Sequence, residues 1–137
     1  MSDLGAHRSR RRGALLVSRA ILLVDHGSQL PDANHLLDRI ADAVRARLAG
    51  AIVEVAHMEL AEPSLAAALE RCAARGASEV VVCPYFLSPG RHTSRDIPQL
   101  VAQARTAHPA LTVRVAAPLG FDERLVDVLL ARADAAV

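Results

Sequence analysis

The sequence predicts an α/β fold in three layers, a four-stranded parallel sheet flanked by helices, and three observations predict it. Short aliphatic runs alternate with apolar stripes at helical spacing, the pattern of strands joined by crossover helices. The runs are continuous rather than alternating, as in strands buried on both faces. Hydrophobic residues make up 52% of the 137-residue chain, yet the aromatics are only Tyr85, Phe86 and Phe121. The core must therefore be built from Leu, Val, Ile and Ala.

The elements follow in order. Residues 21–24 (ILLV) read as a buried strand that ends in the turn Asp25-His-Gly-Ser28. Leu36, Leu37, Ile40, Ala41, Val44 and Leu48 recur at helical spacing, and Gly50 closes that helix. Residues 51–56 give a second strand. Pro63 stands where a first helical turn tolerates it, and Leu65, Ala68, Leu69 and Cys72 make the next stripe, ended by Gly76. Residues 79–84 form a third strand. An irregular segment, 85–95, follows and carries the turn signal Pro89-Gly90. Asp96 reads as the N-cap of a helix bearing Ile97, Leu100, Val101 and Ala104. Residues 111–116 are a fourth strand, and Asp122 starts a last helix with Leu125, Val126, Leu129 and Leu130. Right-handed crossovers are expected throughout.

There is no internal repeat and no linker. A basic segment, residues 1–19, is expected to be a disordered extension, and residues 20–137 a single domain. The formal charge is +1, but five of the sixteen basic residues lie in that segment: Arg8, Arg10, Arg11, Arg12 and Arg19. The remainder is mildly acidic, which argues against nucleic acid as a partner. Every basic residue is Arg, so a P-loop, which needs its Lys, is excluded. Cys72 and Cys83 read as small buried hydrophobes in a reducing compartment. No apolar run approaches the roughly twenty residues of a membrane span, and the apolar stretch at 14–17 is too short for a signal peptide. A cytoplasmic protein is expected.

In open α/β sheets, functional groups collect outside the carboxyl ends of the strands. Strand one delivers His26 there, strand two runs into His57-Met58-Glu59, and strand three feeds the loop holding Arg91, His92 and Arg95. Imidazoles and a carboxylate at one edge suit cobalt, nickel, iron or zinc. Residues 57 and 59 share a face if the strand persists, whereas Asp25 points opposite to His26. His7, His35 and His108 lie in the tail, beside a helical stripe and at a helix end, and no role is assigned to them. Topology alone names no reaction.

An ordered set of blocks does more. LLVDHGS at 22–28 with PDAN at 31–34, MELAEPS at 58–64, VVCPYFL at 81–87, GRHTSRDIP at 90–98 and APLG at 117–120 resemble the short CbiX/SirB-type sirohydrochlorin chelatases, class II chelatases. The resemblance spans residues 20–131. It implies a chelatase-like fold and insertion of a divalent metal into sirohydrochlorin, for siroheme or cobalamin synthesis. The metal, cobalt or iron with nickel as a third candidate, is a substrate, and no organic cofactor is implied. The family's two histidines map onto His26 and His92, its acidic residue onto Glu59, and a homodimer is implied.

On that reading His26 and His92 bind the metal and take up pyrrole protons, and Glu59 completes the site. Arg91 and Arg95 are candidates for clasping the macrocycle's carboxylates. Backbone amides near Gly27, Ser28 and Gly90 are further candidates. Three departures stand out: Asp25 where the family often has Gly, His57 at a commonly apolar position, and Arg91 at a frequently small one. His57 is thereby a candidate extra ligand. Two other readings compete: a non-catalytic carrier of metal or tetrapyrrole, and a generic flavodoxin-like ligand domain. The second is disfavoured because Gly27 stands without a G-x-G-x-x-G pattern.

Overall fold

The computed structural model describes residues 19–137, apart from the side chain of His92. Four strands and four helices alternate: β1 (Arg19–Asp25), α1 (Pro31–Arg47), β2 (Ile52–His57), α2 (Leu65–Ala74), β3 (Glu79–Pro84), α3 (Ile97–Ala107), β4 (Thr112–Val115) and α4 (Glu123–Asp134). A π-helical turn, His92–Asp96, leads directly into α3. All strands are parallel in the order β2-β1-β3-β4. The expectation of a disordered extension falls, except for Arg19, on residues outside those described; Arg19 itself is the first residue of β1.

Alternation along β1 explains the layers. Ala20, Leu22 and Val24 point to one face and pack with Leu65, Leu69 and Cys72 of α2 and Ile97 and Val101 of α3. Ile21 and Leu23 point to the other, against Leu37 and Ala41 of α1. Buried on both faces, β1 reads as an unbroken aliphatic run. The first core is the larger, because two helices cover that face and only α1 is packed on the other. No residue of α4 is buried, although it carries Val126, Val128, Leu129 and Leu130.

The helix ends obey local chemistry. Ser64 caps α2 by accepting from Ala67 N, and Asp122 caps α4 by accepting from Arg124 N. The guanidinium of Arg124 also donates to the Asp122 carboxylate, which is held below the ordinary carboxylate range chiefly by that bond. Asp96 departs from expectation. It is helical itself and makes no side-chain cap, because the π-turn before it already supplies the preceding carbonyls. Cys72 is fully buried, and burial pushes its thiol up to about 12; Cys83 is half-buried and also raised by burial. Among the described residues, no helix is long and apolar enough to cross a membrane.

Candidate metal-handling site

The sheet order reverses direction at β1, so a ligand crevice opens outside the carboxyl ends of β1 and its neighbours. His26 leaves the end of β1 and Glu59 follows β2. They meet with His26 Nε2 2.8 Å from Glu59 Oε1, both side chains about half exposed at 49% and 51%.

Backbone geometry enforces this meeting. Met58 N donates to Asp25 O (2.9 Å) and Glu59 N to His26 O (3.1 Å), extending the β1–β2 pairing beyond the strand ends. Gly27 sits at φ +90°, and a Cβ there would lie 1.8 Å from the Glu59 carbonyl oxygen. Only glycine permits that approach. Leu60, with φ 66°, then turns the chain away directly after Glu59. The next turn is clamped by Asn34, whose Oδ1 accepts from Ser28 N (2.9 Å) and whose Nδ2 donates to Ser28 O (2.8 Å). A residue inside α1 thus fixes the loop that carries His26.

The two strand-end departures turn out to be partners. Asp25 and His57 face each other in the β1–β2 register, and His57 Nδ1 lies 2.5 Å from Asp25 Oδ1. Their side chains are 19% and 3% exposed. His57, read as a candidate extra ligand, has its Nδ1 engaged by Asp25. Among the described residues no three His, Cys, Asp or Glu side chains converge as a metal cage. What is described of the site is a two-group arrangement, His26 with Glu59.

The backbone of His92 opens the π-turn, and its side chain lies outside what is described. Gly90 precedes that turn and organises it: Gly90 N donates to Thr93 Oγ1 (2.8 Å), and Ser94 Oγ donates to Gly90 O (2.7 Å). Two amides expected to receive carboxylates, those of Ser28 and Gly90, therefore already have internal acceptors. Arg91, directly before the turn, and Arg95, within it, are both exposed.

Across from Glu59, Asp96 of the π-turn and Gln99, Leu100 and Gln103 of α3 line a cleft of about 290 Å³, while Met58 completes the β2 side. Gln99 and Gln103 were not singled out in the sequence, although their i, i+4 spacing on a helix beginning at Ile97 puts them on one face. Nothing in the sequence itself aimed that face at Glu59. Chemically, an exposed imidazole and carboxylate at hydrogen-bond distance can ligate a first-row divalent metal and belong to the groups that serve general acid–base chemistry.

Known proteins resemble the chain in sequence and fold. The chain is 43% identical to the chloroplastic sirohydrochlorin ferrochelatase of Arabidopsis thaliana over 109 residues, covering 80% of this chain and 48% of that protein. It is 32% identical to the sirohydrochlorin cobaltochelatase of Methanocaldococcus jannaschii, covering 83% of this chain and 96% of the archaeal one. The crystal structure of the sirohydrochlorin chelatase SirB from Bacillus subtilis subspecies spizizenii, in complex with cobalt, superposes with a TM-score of 0.80 at 29% identity. That match covers 85% of this chain and 50% of SirB. The chain thus spans about half the length of the plant and Bacillus relatives and nearly all of the archaeal one. The CbiX family model matches residues 20–136, so the chain belongs to the CbiX family.

Proposed function

We propose that this chain is a chelatase that inserts cobalt or ferrous iron into sirohydrochlorin. The observation that carries the reading is His26 facing Glu59 at 2.8 Å, half exposed, at the sheet edge of a CbiX-family chain. Both metals appear in the names of its relatives. The product serves siroheme or cobalamin synthesis according to the metal.

Insertion removes two pyrrole protons while the metal exchanges its ligands for macrocycle nitrogens. In this reading the imidazole of His26 holds the incoming metal or accepts a pyrrole proton. Glu59 shares that proton across the short His26 contact and passes it to solvent, to which it is open. His92 supplies the second imidazole. Arg91 and Arg95 clasp carboxylates on the macrocycle rim. Because the amides of Ser28 and Gly90 are engaged, the Ser28 hydroxyl and the amide of Gly27 are the better donors on the His26 side.

The working form in this reading is a homodimer. Phe121 (83% exposed), Leu129 (66%) and Leu130 (53%) are large apolar side chains on and before α4 that the described residues leave uncovered. In this reading a second copy of the chain covers them. The setting is a reducing cytoplasm, in keeping with free Cys72 and Cys83.

The test is an anaerobic absorbance assay of the purified protein with sirohydrochlorin and cobalt, ferrous iron or nickel. Acceleration over the uncatalysed rate with cobalt or iron supports the chelatase. Saturable binding of metal or macrocycle without acceleration establishes the carrier reading instead, and a preference for nickel overturns the metal assignment.

A further inference from the structure

Asp25 and His57 are the last residues of β1 and β2, paired in register. By strand alternation their side chains leave the sheet on the face of Leu23, Val53 and Val55, the side covered by α1. His57 is the one buried charged or polar side chain among the described residues, at 3% exposure. A buried imidazole needs a partner, and the Asp25 carboxylate supplies it at 2.5 Å.

Position gives the pair its consequence. Asp25 directly precedes His26, and His57 stands two residues before Glu59. The backbone bond from Met58 N to Asp25 O runs between the pair and the site. A Cβ built on Gly27 would lie 3.2 Å from the Cβ of His57, so the His57 side chain is packed directly against the turn that aims His26. We propose that Asp25 and His57 are positioning residues: their side-chain bond locks the two strand ends together and so fixes the reach of His26 to Glu59. The pair acts through His26 and touches neither metal nor macrocycle. This rests on the reading of His26 and Glu59 as the metal-handling groups.

Structural support and positioning predict different results for the double replacement. Removing one partner leaves a buried polar group unpaired, so Asp25→Ala and His57→Leu each lower the melting temperature. In Asp25→Ala/His57→Leu no polar group is stranded and the melting temperature recovers, but the strand ends remain unlocked.

The experiment is calorimetric titration of the full chain with cobalt alone, beside melting temperatures and the insertion kinetics, for wild type, His26→Ala, both single variants, the double variant and Asp25→Asn. Positioning predicts cobalt affinity reduced by roughly tenfold in the singles and still reduced in the double, with kcat falling more than the KM for sirohydrochlorin rises. Asp25→Asn, whose amide oxygen still accepts from Nδ1–H, restores most of the affinity. Wild-type cobalt affinity in the double variant, or in Asp25→Ala at a lowered melting temperature, overturns the proposal and leaves the pair a fold element only. Cobalt affinity unchanged in His26→Ala overturns the underlying reading of the site, and this proposal with it.

Discussion

His26 and Glu59 are separated by all of α1 and all of β2 in sequence, yet their side chains meet because Gly27 lets two backbones approach at van der Waals limits. That dependence makes a prediction at the scale of one methyl group. Gly27→Ala places a Cβ against the Glu59 carbonyl at a positive φ. It should destabilise the domain by at least about 1–3 kcal/mol and disable insertion, because relief requires moving Glu59 away. Urea denaturation and the insertion assay read the two effects, and an alanine variant with wild-type stability and rate would show that the close approach does not matter. The sequence offered His26, Glu59 and Gly27 individually. It did not offer the contact among them, which depends on the β1–β2 register, nor the Asp25–His57 bond, since each residue alone looked like an isolated departure.

At the scale of elements, the order and type of all eight were readable because each carries a clear period: aliphatic runs for the strands, i, i+3, i+4 stripes for the helices. The boundaries were less so. β2 continues through His57 rather than stopping at Ala56, because Asp25 extends β1 opposite it and the pairing persists. The π-turn at His92–Asp96 left no periodic mark, being five residues in a polar stretch read as irregular. The PDAN block gains a physical meaning here, since both amide groups of Asn34 bind Ser28 from inside α1. Asn34→Ala should lose roughly 1–2 kcal/mol through the freed Ser28 amide and carbonyl, and lower the insertion rate while α1 keeps its helicity. Unchanged stability by denaturant titration, with unchanged rate, would mean that the loop is held by other contacts.

At the scale of the molecule, α4 is the anomaly. Its apolar stripe was legible, and burial was the natural expectation, yet the described chain buries none of it. Most helical stability comes from packing of an apolar face, and the proposed second copy offers α4 a surface that the described residues do not. Leu129→Asp/Leu130→Asp should therefore convert a dimer to a monomer in light scattering without loss of the core, since neither side chain packs in it. A wild-type chain that is monomeric at tens of micromolar on the scale of ordinary interfaces would contradict the assignment.

On the proposed reading, a histidine and a carboxylate at the sheet edge carry out metal insertion. The rate of cobalt insertion into sirohydrochlorin by His26→Ala and Glu59→Gln, each checked for a native melting curve, tests it most directly. Insertion should fall to the uncatalysed rate in His26→Ala and by at least about tenfold in Glu59→Gln, with the fold intact. Either folded variant working at the wild-type rate would contradict it.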